Sequence, residues 1–395
     1  MKNILIINSG SSSLKFQLIQ MPSEEVLASG MVERIGLEDS KLHYKVRDNS
    51  VSEVIEASDH AVALKAITEH LMNPEKGVIK DKNEIAAVGH RVVHGGNVFS
   101  KTIAINAEVK EKIRENFSLA PLHNPPNLKG IEVAEELFPN SRQVAVFDTA
   151  FHQTIPQQAA QYAIPTEFYE EKHIQLYGFH GTSHKYVSKK AIEKLQKENS
   201  KIISIHLGNG CSITAIKDGK SLDHSLGFGP VNGLIMGTRS GDIDQSVIFY
   251  LIDELGYTSQ EVSDLLHKKS GMLGLTGYSD LREIEEEAEK GNKRCQLALD
   301  MNAYRIKKYI GAYTAAMNGL DALIFTAGIG ENSDVIRNLV CRDMDFFGIK
   351  LDKEKNKIRD KKLRAIEAEG SRVKILVIPT NEELEIAQQT FELIS

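Results

Sequence analysis

Residues Asn3–Ile19 read NILIINSGSSSLKFQLI, two apolar runs joined by six small polar residues and followed at once by Leu14 and Lys15. A hairpin needs only about two to five connecting residues. The surplus of hydroxyls around one glycine suits backbone amides gathered about an anion. Other polar groups concentrate where apolar runs end. GHRVVHGG carries His90, Arg91 and His94, and APLHNPPN sets His123 in a proline-stiffened loop. VAVFDTAFH ends at Asp148, and YGFHGTSH puts His180 just before a helix cap expected at Thr182 or Ser183. IMGTRSGDID holds Arg239 among glycines, TGYSDLREI places Asp280 and Arg282 at a helix start, and VIPTNEELEIA ends a strand with Asn381 and Glu382. Glycine hairpins, arginines at loop tips, isolated carboxylates and no activated nucleophile together match phosphoryl transfer, which asks for positioning and charge neutralisation.

Each feature also has a plainer reading. A lone histidine is more often structural than catalytic, Thr380 with Glu383 fits a capping box, and Asp280 fits a simple cap. DGKS at Asp218–Ser221 lacks the glycine a P-loop needs, since Thr214 stands there. GIGENS has Ser333 at the third glycine of a dinucleotide fingerprint, which leaves a strand delivering Gly328, Ile329 and Gly330 to a helix N-terminus. There is no HExxH, no zinc-type Cys or His spacing and no GxSxG.

The elements that must position these groups follow from periodicity. Strands are expected at Ile4–Ile7, Leu14–Ile19, Ala86–Val93, Val144–Phe147, Ile202–His206, Ser212–Ile216, Ala322–Thr326 and Val373–Ile378. Helices are expected at Ala61–Leu71, Lys129–Leu137 and Leu297–Leu320. The last carries Met301, Tyr304, Tyr309, Tyr313 and Met317 as one apolar stripe, read as core. Strands alternating with helices indicate an α/β protein. ILIINSGSSSLKFQLI is echoed by IISIHLGNGCSITAI, with Gly10 and Gly208 198 positions apart. Either two domains share one design or two Gly-Ser hairpins coincide by chance.

A length of 395 residues favours two domains. A net charge of −6 gives no whole-chain reason to expect nucleic acid or a membrane as partner. The three dispersed cysteines, Cys211, Cys295 and Cys341, exclude a disulfide framework, and the N-terminus lacks a signal-peptide pattern. A cytoplasmic location is the expectation.

ILIINSGSSSLKF and YGFHGTSHKYV, with HRVVHGG, APLHNPPNLKGI, VAVFDTAFHQTIP, HLGNGCSI, MGTRSGDID, GIGEN and PTNEELEIA, occur along essentially the whole chain. In this the sequence resembles the acetokinase family of the actin, sugar kinase and heat-shock ATPase superfamily. The resemblance implies two duplicated ribonuclease-H-like (actin-like ATPase) domains, residues 1–150, rejoined by helix 384–395, and 151–383, with ATP and substrate in an interdomain cleft. It implies reversible, direct in-line transfer of the ATP γ-phosphoryl group to acetate, with Mg²⁺ or Mn²⁺, in a homodimer. Residue by residue, it puts Ser11, Ser13 and Lys15 at the nucleotide phosphates and Asn8 and Glu382 at the metal. His206, Leu207, Gly208, Asn209 and Gly210 become the second phosphate loop, with Asn209 at the transferred group. Asp280, Leu281, Arg282, Gly328, Ile329, Gly330, Glu331 and Asn332 form the adenosine pocket. Arg91, Asp148, His180 and Arg239 are the catalytic set. Val93, Leu122, His123, Phe179 and Pro230 bind the substrate. A kinase of propionate or butyrate is the first alternative, and a non-catalytic ATP-driven clamp the second. The chain departs from the family pattern at His224, Gly229 and Asn232, where Thr, Thr and Glu are expected, and its TGYSDLR loop is one residue short.

Overall fold

The computed structural model describes all 395 residues. The chain divides into two compact units, Met1–Phe151 with Asn381–Ser395, and His152–Thr380.

The first unit is built on β1 (Lys2–Ser9), β2 (Ser13–Met21), β3 (Glu25–Glu33), β4 (Ser40–Val46), β5 (Asn49–Ile55), β6 (Ile85–Val92), β7 (Ile103–Ala104) and β8 (Arg142–Phe147). They form one sheet in the order β5-β4-β3-β2-β1-β6-β8-β7, with β1 antiparallel to β2 but parallel to β6, and β6 parallel to β8. The two-residue period of β1 explains its position. Leu5 and Ile7 enter one core with Leu64 and Ile67 of helix His60–Leu71. Ile4 and Ile6 enter the opposite core with Ile386 and Ala387 of helix Glu382–Ile394. Each such side chain, fully buried, contributes about 1.5–3 kcal/mol. Gly89 lets that last helix close on β6, because a Cβ there would lie 2.6 Å from Thr390 Oγ1.

The second unit carries β9 (Lys201–Leu207), β10 (Cys211–Lys217), β11 (Lys220–His224), β12 (Ala322–Thr326), β13 (Arg364–Ala365) and β14 (Lys374–Val377) in the order β11-β10-β9-β12-β14-β13. β9 is antiparallel to β10 and parallel to β12, which is parallel to β14. The run β11-β10-β9-β12-β14 repeats β3-β2-β1-β6-β8 strand for strand, so Gly10 and Gly208 occupy equivalent turns and the sequence echo is a repeated topology.

Several local expectations change. β3, β4 and β5 lie outside the expected strands; β5 exposes most of its residues, and β3 has no two-residue apolar period. The helix expected from Lys129 begins at Asn124, since Pro125 and Pro126 sit in its first turn, where a missing N–H costs nothing. The long helix spans Lys293–Met317, and its supposed stripe splits: Tyr313 and Met317 are buried, whereas Met301 and Tyr304 face solvent. Its core face is instead Ala298, Asn302, Ile306, Ile310 and Tyr313. No helix is long and apolar enough to cross a membrane.

Candidate active site

In the first unit the candidate residues gather at the carboxyl ends of β1, β6 and β8, where open α/β sheets bind ligands. Arg91 is the hub. Its Nη2 bonds Asp148 Oδ2 and its Nε donates to Asp148 Oδ1 at 3.3 Å, a two-pronged grip on a carboxylate only 1% exposed. Nη1 reaches Asn8 Oδ1 at 3.4 Å, and Nε lies 3.5 Å from Glu382 Oε2. Burial opposes the charge on Arg91, but Asp148 and Glu382 more than offset it and hold its pKa above the ordinary value. Glu382 is pushed up to about 7 by burial, against the pull of Arg91 and with a further push from Asp148. Asp148 and Glu382 thus share the Arg91 guanidinium as their common ion-pair partner.

The glycine–serine turn stands beside that hub. Gly10 N donates to Ser13 O at 2.8 Å, and the His60 ring nitrogen donates to the Gly10 carbonyl at 2.7 Å. Ser11 and Lys15 are exposed, and the Lys15 charge is felt at Glu382. Two amides straightforwardly missed by sequence reasoning hold the strand ends in register. Asn127 accepts from Val93 N at 3.0 Å and donates to Ser9 O at 2.7 Å; Asn124 makes the same pair of bonds with His94 N and O. Both amides belong to the first turn of helix Asn124–Leu137, three residues apart on one face. His123 is the residue before that helix, Val93 is buried, and Leu122 is 66% exposed. His90 Nε2 donates to Gln143 Oε1 at 2.8 Å, and burial lowers its pKa to about 4, a structural role.

The second unit assembles a different set. His180 adopts a left-handed φ of 54° and itself precedes helix Gly181–Leu195, so the helix starts earlier than the Thr182 or Ser183 cap expected. Its ring stacks on His206 at 4.4 Å, and Nδ1 meets Ser212 Oγ at 2.9 Å. A Cβ on Gly210 would lie 3.6 Å from His180 Nε2 and 3.9 Å from Arg239 Nη1, so His180, Arg239 and the Gly208–Gly210 turn converge. Gly237 N donates to the Asn209 carbonyl at 3.0 Å and Arg239 Nη1 to the Pro230 carbonyl at 3.0 Å. Arg239 has no carboxylate beside it, and burial lowers its pKa. Ser183 links His206 to Thr380, whose hydroxyl is thereby removed from the capping box foreseen with Glu383; Asn381 caps the last helix instead, accepting from Leu384 N.

A cleft of about 680 Å³ in the second unit is lined by Gly208, Asn209, Asp280, Leu281, Arg282, Gly328, Ile329 and Asn332, with Ser279, Glu285, Ser333 and Arg359 added by the structure. Asp280 caps helix Leu281–Glu289 and pairs with Arg282 at 2.5 Å. Ala327, at φ 64°, is a left-handed non-glycine residue directly before Gly328, whose missing Cβ leaves open space. Gly330 packs against Phe325, and Glu331 accepts from Thr380 N at 3.1 Å; neither lines the cleft. The dipole of the Leu281–Glu289 start and the bare Gly328 backbone suit a nucleotide.

Asn8, Asp148 and Glu382 offer hard oxygen donors of the kind that suits Mg²⁺. No group of three or more His, Cys, Asp and Glu side chains forms a metal cage by itself. Mg²⁺ commonly takes only one or two protein carboxylates and completes its shell with water and phosphate.

Repeated sheets, each presenting a glycine turn at its strand ends, with arginines and a nucleotide-sized cleft, define a phosphotransferase. A sequence model of the acetokinase family matches residues 3–388. An acetate kinase of Flavobacterium johnsoniae is 63% identical over 391 residues, covering 99% of each chain. Among solved structures, that of Porphyromonas gingivalis acetate kinase superposes with a TM-score of 0.95 at 47% identity, covering all of both chains. A propionate kinase from Francisella tularensis gives 0.92 at 43% identity over 98% of this chain and 99% of its own. The chain belongs to the acetokinase family and has its duplicated actin-like ATPase fold.

Proposed function

We propose that the protein transfers the γ-phosphoryl group of ATP reversibly to acetate, giving acetyl phosphate and ADP. The observation that carries this is the Arg91–Asp148 pair at the ends of β6 and β8, in a chain matched along its full length by enzymes named acetate kinase. Acetate is already an anion and needs no base to become a nucleophile. The obstacle is repulsion from the γ-phosphate, about 4 kcal/mol for each pair of unit charges 4 Å apart at an effective dielectric near 20. Arg91 and Arg239 oppose that term, and a planar guanidinium can bridge carboxylate and phosphoryl oxygens.

Asp148 spends both oxygens on Arg91, which supports an orienting role and leaves proton abstraction without a substrate proton to take. His180 and Asn209 would donate to the equatorial oxygens as charge spreads over them. Ser11, Ser13, Lys15 and the His206–Gly210 turn would hold the phosphates, and Asp280–Arg282 with Gly328–Asn332 the adenosine. Asn8 and Glu382, with Asp148 nearby, would hold Mg²⁺, which when bound neutralises phosphate charge. Val93, Phe179 and Pro230 supply the apolar side of the carboxylate pocket, with His123 and the exposed Leu122 at its margin. The transfer is direct, without a phosphoenzyme.

The test is hydroxylamine trapping of acyl phosphate from ATP with acetate, propionate and butyrate at equal concentration. Acetate should give the highest kcat/KM; a preference for propionate would transfer the reading to the activity named for the Francisella relative. One methylene is worth only about 1–3 kcal/mol in an apolar pocket, so all three should react. Two copies are proposed to pair, supported by the exposure of Leu297, Met301 and Tyr304 along one helix face and of Val247, Phe249 and Tyr250 on another helix.

A further inference from the structure

Phe179 and His180 lie just before helix Gly181–Leu195, outside any strand ladder. Gly178 has φ +76° and His180 φ 54°, so Phe179 stands between two left-handed residues, and side chains hold both of its backbone groups. Two buried imidazoles do this. Phe179 N–H donates to His224 Nε2 at 3.1 Å, and the Phe179 carbonyl accepts from His152 Nε2 at 2.9 Å. The rings lie 4.1 Å apart, and both are within 3% of complete burial. They leave no room for a side chain at residue 178, where a Cβ would lie 2.7 Å from His152 Cδ2 and 3.0 Å from His224 Cδ2.

The second nitrogen of each ring is also bonded, His224 Nδ1 to Thr214 Oγ1 at 2.7 Å and His152 Nδ1 to Ser221 Oγ at 2.9 Å. These partners fix the tautomers. An amide N–H must meet a lone pair, so His224 carries its proton on Nδ1 and gives it to Thr214. A carbonyl must meet an N–H, so His152 carries its proton on Nε2 and accepts from Ser221. A second proton on His224 would set N–H against N–H. Burial first, then His152, His184, His180 and His206, hold its pKa well below the ordinary histidine value. The preceding carboxylate, Asp223, accepts from His224 N at 2.7 Å.

We propose that His224 is a positioning residue for the phosphoryl transfer: by accepting the Phe179 N–H opposite His152, it sets the peptide that aims the Phe179 ring and the His180 imidazole. This role rests on the reading of Phe179 and His180 as substrate contacts under Proposed function. Glutamine at 224 can bring an oxygen to the place of Nε2, whereas asparagine reaches only the place of Nδ1 and keeps the Thr214 bond alone.

The experiment compares His224→Gln and His224→Asn in the full-length enzyme, with kcat and KM measured separately for acetate and ATP. Misplacement by about 1 Å can cost ~100-fold, so kcat/KM for acetate should fall about 10- to 100-fold in Asn and within about threefold in Gln, with the ATP KM unmoved in both. A gap of less than about threefold between the variants, or a parallel rise in the ATP KM, overturns the role. Nitrogen NMR of histidine-labelled wild-type protein is independent of variant folding. It should show Nε2 of His224 unprotonated and Nδ1 protonated, and the opposite tautomer overturns the role. Wild-type enzyme that makes no acetyl phosphate would instead defeat the functional reading.

Discussion

Unit 1 and unit 2 share a strand order but carry charge at their strand ends in opposite ways. In unit 1 the arginine is committed: Arg91 is gripped by Asp148, with Glu382 and Asn8 beside it. In unit 2 Arg239 donates to the Pro230 carbonyl, and across the Gly210 turn it faces His180, whose ring meets His206 and Ser212. One topology has thus been given a half whose arginine is ion-paired and a half whose arginine bonds a backbone carbonyl. The difference teaches that the fold supplies strand ends and turns, while residue choice at those ends decides the electrostatics.

The largest expected effect separates the two arginines. On the proposed function, Arg91→Ala and Arg239→Ala should each lower kcat by about 100-fold or more, since each would remove a charge that opposes the repulsion between acetate and phosphate. Only Arg91→Ala leaves buried carboxylates uncompensated, so it alone should lower stability, by about 1–3 kcal/mol in urea unfolding. Equal stability losses in the two variants would erase the contrast between the halves.

Asp148 sharpens the same contrast. If it orients Arg91, Asp148→Asn keeps one acceptor and should lose less turnover than Asp148→Ala, with a raised Mg²⁺ requirement in both. Equal, metal-independent collapse in both variants would return proton transfer to consideration.

A smaller effect is expected at Asn127, which ties Ser9 O to Val93 N. Asn127→Ala leaves a buried donor and acceptor unpaired, at about 1–3 kcal/mol each, and loosens the glycine–serine turn from β6. Thermal unfolding should show the loss, and the ATP KM should rise more than the ATP KM of Arg239→Ala.

The legible part of this molecule is what chain-local chemistry can encode. Gly10, Gly208, Arg91 and Asp148 stand at the ends of apolar runs, so their placement follows from strand periodicity, whereas Arg239 lies in a loop with no strand beside it. Asn124 and Asn127 are visible in HNPPN but meaningless without partners 30 or more positions away. His224 was noted only as a departure from the family pattern; its bond to Phe179 spans 45 positions and leaves no sequence period. Likewise β5 is too exposed to carry an apolar period, and Met301 and Tyr304 carry core-like types on an exposed face.

The smallest prediction is one of pH. Burial raises Asp223 to about 6, against the bond from His224 N, so its contribution to stability is present below the unfolded carboxylate pKa and is lost as pH rises through about 6. Asp223→Asn removes that dependence. Relative to wild type, the variant should gain stability between pH 5 and pH 7.5, by less than about 2 kcal/mol; a relative loss over that window would reverse the sign.

The proposed function requires that Arg91 and Arg239, one from each unit, act on one phosphoryl transfer. A double-mutant cycle on Arg91→Ala and Arg239→Ala, read as single-turnover acetyl phosphate formation, tests it most directly. Groups acting as a unit are strongly non-additive, so the double variant should be within about tenfold of the slower single variant. Losses that multiply in full would mean that the two arginines act independently, and would contradict the account.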